Sequence, residues 1–232
     1  DVYLQVANWG PGMSITVNDP DPVQERSGAD QLVLVGTDGE DVIDGAHLPF
    51  DLVSERGTYL LLLGLGGNDD LTYGVPSGVA FLPLPGDYNP TTLIDGGAGD
   101  DVIDGGDAGV DVIAYGQAGN DAVAAVGADI SDAYYRYTGV AGGPGADVLS
   151  VSLGEEGFAA VEGGDGDDAI DVSGSEFAYS YLDGGDGDDE IHGGPGSSDI
   201  DGGDGNDLLY GEGGDDYLYY GNYRENSSCK NP

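Results

Sequence analysis

From Asp183 to Tyr219 a large aliphatic residue recurs every nine positions, and glycine and acidic residues fill most of the space between. Taken in nines from Gly184, the chain reads GGDGDDEIH, GGPGSSDID, GGDGNDLLY and GEGGDDYLY, with glycine at positions 1 and 4, usually at 2, and an aliphatic residue at 8. Further copies begin at Gly36 (GTDGEDVID), Gly64 (GLGGNDDLT), Gly96 (GGAGDDVID), Gly106 (GDAGVDVIA), Gly116 (GQAGNDAVA), Gly142 (GGPGADVLS) and Gly163 (GGDGDDAID). One buried side chain per nonapeptide, bracketed by residues that permit positive φ, predicts loop, short strand, loop, short strand around a thin core. The eighth residues, Ile43, Leu71, Ile103, Ile113, Val123, Leu149, Ile170, Ile191, Ile200, Leu209 and Leu218, are all aliphatic and are expected to form one inward-facing row.

The intervals between copies predict how the chain winds. A two-sided roll spends two nonapeptides per coil, so loops on one edge recur about every 18 residues, or later where the far edge carries insertions. Loops at Gly36, Gly64, Gly96, Gly116, Gly142, Gly163, Gly184 and Gly202 follow at steps of 28, 32, 20, 26, 21, 21 and 18, and each has aspartate at position 6. The opposite edge falls at Gly106, in Ala128 to Gly139, and at Gly154, Ser175, Gly193 and Gly211, with longer loops at Ala46 to Gly57 and Gly74 to Pro90. Its sixth positions are mostly not acidic: Ala159, Ser180 and Ser198, with Asp111 and Asp216 as exceptions. The returning strands run through Leu34, Leu62, Ile94, Val140, Val161, Leu182 and Ile200. The fold class expected is therefore all-β, a right-handed parallel β-roll of about eight coils, with one edge regular in its carboxylates and the other tolerant of insertions.

Three segments follow. Residues 1–30 lack the repeat; Val2 to Val6 and Ser14 to Val17 alternate as strands do, Asn18 to Ser27 reads as a proline-broken loop, and the segment is expected to cap or join the roll. Residues 31–221 form the roll, with Gln31 to Val35 as its entering strand, and residues 222–232 are a tail that leaves the repeat.

Charge changes the picture, because 45 acidic against 5 basic side chains give −40 and a self-repulsion that opposes compaction until counter-ions neutralise it. Such a surface repels nucleic acid, and the longest aliphatic stretch, Leu60 to Leu63, is far too short to insert in a membrane. The single Cys229 cannot make an internal disulfide. No HExxH helix, GxSxG elbow or GxxxxGK[ST] loop occurs, and His47 and His192 lie far apart, so no enzyme is expected. The 15 tyrosines cluster partly near the end, where outward rings on adjacent coils can stack as a ladder or offer an aromatic binding surface.

The GGxGxDxUx pattern resembles the repeats-in-toxin (RTX) family, whose nonapeptides wind into a parallel β-roll and bind Ca2+ between stacked loops. That resemblance implies carboxylate ligands from Asp41, Asp69, Asp101, Asp121, Asp147, Asp168, Asp189 and Asp207, with up to about seven ions in the gaps between the eight loops. Carbonyls of the same loops would complete the shells: Gly36 and Asp38, Gly64 and Gly66, Gly96 and Ala98, Gly116 and Ala118, Gly142 and Pro144, Gly163 and Asp165, Gly184 and Asp186, Gly202 and Asp204. Adjacent acids such as Asp100 and Asp101 are read as part of the same calcium chemistry. The function expected is a secreted, extracellular or cell-surface calcium-binding protein, structural or adhesive, that folds on calcium and assembles head-to-tail with itself into a filament or layer. A cell-surface polysaccharide is a second expected partner, and the alternative is the calcium-folding module of a larger secreted enzyme or toxin.

Overall fold

The computed structural model describes residues 31–44, 59–73, 91–107, 111–127, 137–219 and 228–230. The expected strands at Val2 to Val6 and Ser14 to Val17, the loop at Asn18 to Ser27, and the insertions at Ala46 to Gly57 and Gly74 to Pro90 lie outside them. Eighteen strands alternate between two nine-stranded sheets, and every pairing within each sheet is parallel. The first sheet holds Gln31–Val35, Tyr59–Gly66, Thr91–Ala98, Asp111–Ala118, Tyr137–Pro144, Phe158–Asp165, Tyr179–Asp186, Ser197–Asp201 and Tyr217–Tyr219. The second holds Val42–Asp44, Asp70–Thr72, Val102–Asp107, Ala122–Val126, Val148–Leu153, Ala169–Gly174, Glu190–His192, Leu208–Tyr210 and Ser228–Lys230. This is the two-sided parallel β-roll, and the tail supplies its last strand.

Register follows the loop intervals. Leu34 pairs with Leu62, Leu62 with Ile94, Ile94 with Ala114 and Ala114 with Val140, then Val161, Leu182, Ile200 and Leu218 follow. Ile43, Leu71, Ile103, Val123, Leu149, Ile170, Ile191 and Leu209 pair in the same way across the second sheet. The core partners thus stay in register from coil to coil, with one irregularity between Asp104 and Asp107.

The eighth residues do not form one row but two that face each other across the core. Ile200 and Leu218 belong to the first sheet's row, while most of the others make the second sheet's. Ile113 belongs to neither: Val112 and Ala114 are buried, and Ile113 is turned to the outer face. Side chains alternate with period two along a strand, so the copy at Gly106, one residue out of phase, puts Ile113 on the wrong side. The core is one or two side chains thick, and each fully buried leucine or isoleucine in it contributes about 1.5–3 kcal/mol.

Candidate metal centre

The eight first-edge loops stack because their glycines let backbone meet backbone. At position 4, Gly99, Gly119, Gly145, Gly166 and Gly187 have φ between +137° and +154°, and a Cβ on any of them would strike the position-4 carbonyl of the preceding loop. Outside the first loop position 2 is left-handed as well, at φ +102° for Gly97 and +123° for Gly164, yet two of those loops hold a side chain there: Leu65 at +81° and Gln117 at +77°. Such strain costs on the order of 1–3 kcal/mol and persists only where the surroundings impose it.

Inside this stack the position-6 carboxylates form a ladder. The amide of Asp41 donates to Oδ1 of Asp69, Asp69 to Asp101, Asp101 to Asp121, Asp121 to Asp147, Asp147 to Asp168 and Asp168 to Asp189, all at 2.7–2.8 Å, and Asp189 to Asp207 at 3.2 Å. Oδ1 is therefore fixed by the neighbouring coil. Oδ2 of Asp69, Asp101, Asp121, Asp147, Asp168, Asp189 and Asp207 is buried with no hydrogen-bond partner. Burying an unpaired carboxylate oxygen is costly unless a cation meets it.

Where those oxygens point is defined by the position-1 glycines. A Cβ placed on Gly64, Gly96, Gly116, Gly142, Gly163 or Gly184 would lie within 3.0 Å both of its own loop's Asp Oδ2 and of the next loop's position-1 carbonyl oxygen. Each gap thus gathers a carboxylate oxygen and a carbonyl oxygen into space that only glycine leaves free. Calcium takes six to eight oxygen ligands, and this donor set is hard oxygen throughout. The carboxylates are strung one per coil, so no three His, Cys, Asp or Glu side chains gather at one point among the described residues. Calcium held here would draw the rest of its shell from backbone carbonyls, as expected from the loops.

Burial pushes these carboxyls above the ordinary range against the lowering effect of the amide that each accepts. Asp168 is pushed up to about 7, with the charges of Asp147, Asp189 and Asp167 adding to the burial. Asp69, Asp121 and Asp189 are pushed up to about 6, and Asp101, Asp147 and Asp207 are raised by the same leading cause. The column is built to hold either protons or a cation.

The expected carbonyl donors divide. Those of Gly64, Gly96, Gly116, Gly142, Gly163, Gly184 and Gly202 converge with the carboxylates. The position-3 carbonyls of Ala98, Ala118, Pro144, Asp165, Asp186 and Asp204 each accept the position-4 amide of the preceding loop at 2.6–3.0 Å, which ties the edge together. The amide of Gly66 donates to Thr37, and the side chain of Asp38 is exposed. The first loop differs from the rest. Thr37 stands at position 2, and its amide and hydroxyl donate to Asp41 Oδ2 at 2.5 and 2.8 Å, so Asp41 has the partner the others lack. A Cβ on Gly36 would lie 2.8 Å from Asp41 Oδ2 and 2.6 Å from Gly64 O, so the first loop has the same corner with its carboxylate oxygen farther off.

Two features went unread in the sequence. Position 5 carries its own ladder: the amide of Asp100 donates to Asn68, Asn120 to Asp100, Ala146 to Asn120, Asp188 to Asp167 and Asn206 to Asp188, at 2.8–3.1 Å. In the pairs Asp100–Asp101, Asp167–Asp168 and Asp188–Asp189 the first acid is therefore exposed and occupied with the next coil's backbone, and only the second turns inward. Its signal was the interchange of Asp with Asn at position 5, which a caps-the-amide role tolerates.

The second feature is on the opposite edge, where the position-6 hydroxyls of Ser180 and Ser198 bond to each other at 2.8 Å and Ser198 also donates to the Gly193 carbonyl at 3.0 Å. That stretch satisfies itself without a cation. Asp216 restores the other pattern: its Oδ1 accepts the Ser198 amide at 3.0 Å, and its Oδ2 is buried without a partner beside Gly211. Asp111, the other acidic exception, accepts the Tyr137 amide at 3.1 Å at an exposed position. His192, just before the Gly193 loop, lies 2.9 Å from Glu212 of the Gly211 loop and 3.3 Å from Glu190 and stacks on Tyr210.

The chain carries RTX calcium-binding nonapeptide repeats: the model of that repeat matches in four copies, over residues 93–113, 180–200 and 192–222. No curated protein and no solved structure matches the chain.

Proposed function

We propose that this is an extracellular structural or adhesive protein, without enzymatic activity, that folds when calcium fills the gaps of the first-edge column and then associates head-to-tail with itself. The observation that carries the calcium part is the run of seven buried, unpartnered Oδ2 atoms from Asp69 to Asp207. Seven gaps separate the eight stacked loops, and up to seven ions would occupy them, the first gap being the weakest because Thr37 already satisfies Asp41. RTX repeats are typical of secreted proteins, where external calcium is plentiful and the −40 charge keeps the chain expanded until calcium is met.

Self-association is favoured by the sheet ends. Among the described residues Gln31–Val35 pairs only with Tyr59–Gly66, and Tyr217–Tyr219 only with Ser197–Asp201, so no described strand covers the outer edge at either end of the first sheet. An edge of that kind templates strand addition, and a head-to-tail contact propagates unless it closes. Sedimentation velocity in millimolar calcium and after chelation tests this. Large calcium-dependent species are expected; a monomer that only compacts with calcium removes the assembly claim and favours a calcium-folded module of a larger secreted enzyme or toxin.

A further inference from the structure

The solvent side of the first sheet has a trough that calcium binding does not use. Three columns of side chains cross the coils there. Tyr137, Phe158 and Tyr179 are register partners whose rings stack at centroid spacings of 5.8 Å, with planes 24° and 9° apart. The next column runs Ile113, Gly139, Ala160, Tyr181, and the third runs Tyr115, Ala141, Glu162, Asp183.

The two small residues in the middle column make the floor. Ile113 and Tyr181 stand at its ends, three strand spacings or about 14 Å apart. Tyr137 leans inward: a Cβ on Gly139 would meet its ring at 2.9 Å, so the glycine is what lets the ring lie over the floor. Glu162 and Asp183 line the far wall. The rings remain open to solvent, with Tyr115, Tyr137 and Tyr181 at 39%, 40% and 46% exposure.

Among the described residues the charge there is one-sided. Burial and then the carboxylates of Asp183, Asp201, Asp199 and Glu162 push the Tyr181 phenol upward. No lysine or arginine has a described side chain, so nothing described on this face offsets those acids. Ring faces carry negative potential as well and attract cations. Calcium is poorly suited to the trough, because tyrosine rings and alanine supply few of the six to eight oxygens it needs. A neutral sugar could stack on a ring but would leave the carboxylates uncompensated.

We propose that the trough between Tyr137, Tyr181 and Glu162 binds an organic cation, an alkylated ammonium head of about choline size. Rings enclose its methyl groups, and Glu162 and Asp183 balance its charge. Choline chloride and its uncharged isostere 3,3-dimethylbutan-1-ol, each titrated into the calcium-folded full chain and followed by tyrosine ring NMR signals, test this. Choline is expected to shift a subset of ring signals saturably, and the alcohol to bind about tenfold more weakly. Tyr181→Leu and Glu162→Gln should each weaken choline about three- to tenfold while leaving calcium-induced circular dichroism unchanged. Equal binding of both probes would make the trough a plain apolar patch and overturn the proposal. So would no saturation by choline up to about 100 mM, or binding of cellohexaose where choline fails. Self-association is read by sedimentation, so either idea can fail alone.

Discussion

The amide of Asp147 holds Oδ1 of Asp168 at 2.8 Å, and that same bond leaves Oδ2 of Asp168 buried and aimed at the Gly163 corner with no partner. One coil thus orients the carboxylate of the next. Repeated from Asp69 to Asp207, the relationship makes each aspartate structural through one oxygen and available to a cation through the other.

Removing one such carboxylate should cost calcium affinity rather than simple stability. Asp168→Ala is expected to raise the calcium midpoint for folding roughly tenfold or more, since affinity follows the number of charged ligands. Ser198→Ala, on the opposite edge, strands the Ser180 hydroxyl and costs about 1–3 kcal/mol. Its calcium stoichiometry should stay unchanged. Calcium titrations followed by circular dichroism, with stoichiometry by calorimetry, separate the two, and equal effects on stoichiometry would refute the unequal edges.

Asp216 provides a sharper test of that inequality. Its unpartnered Oδ2 predicts that Asp216→Asn lowers the calcium affinity of the last coils while leaving the coils around Asp101 and Asp121 protected. Hydrogen exchange in saturating and limiting calcium would show this. Uniform loss of protection along the roll would contradict it.

From Gly67 to Gly205 position 4 tolerates no side chain, whereas Gly39 of the first loop has room for one. A Cβ on Gly166, at φ +137°, would overlap the Gly145 carbonyl, and both are backbone atoms that cannot yield separately. Gly166→Ala should therefore abolish calcium-induced folding, whereas Gly157→Ala, whose Cβ would meet nothing closer than 3.3 Å, should fold. Circular dichroism at saturating calcium checks both.

Position 2 offers the reverse. Gln117 sits at φ +77°, where its neighbours in the stack have glycine, and relief of that strain exceeds the entropic cost of glycine. Gln117→Gly should raise the calcium-loaded melting temperature, by up to about 1 kcal/mol of stability. A lower melting temperature would mean that the side chain contributes more than its backbone costs.

Acid and calcium should act on the column in opposite ways. With a carboxyl raised on folding, the folded chain binds more protons than the unfolded one, so stability is fully present below about pH 4 and lost as pH rises through the folded value. For Asp168 that window closes at about 7, and for Asp69, Asp121 and Asp189 at about 6. In chelator the chain should therefore compact between pH 7 and pH 4, while in calcium the apparent affinity should weaken across the same interval as protons compete. A chelated chain that expands on acidification would contradict this.

The periodicity of the aliphatic residues and the phase of the position-6 aspartates determined the roll, its loop edge and the offsets between coils, because each nonapeptide is a local unit whose glycines and one apolar residue leave few alternatives. Only the tertiary structure decided what depends on meetings between coils. Thr37 satisfies Asp41 through a local bond invisible in the motif, a one-residue slip turns Ile113 outward, and Asp100 caps a backbone amide of the next coil. The trough is further still from the sequence: Ile113, Tyr137, Gly139, Glu162 and Tyr181 come from four coils, and nothing in their local pattern brings them together. Stacking does so, since parallel pairing sets side by side residues that the chain separates by a whole turn of the roll.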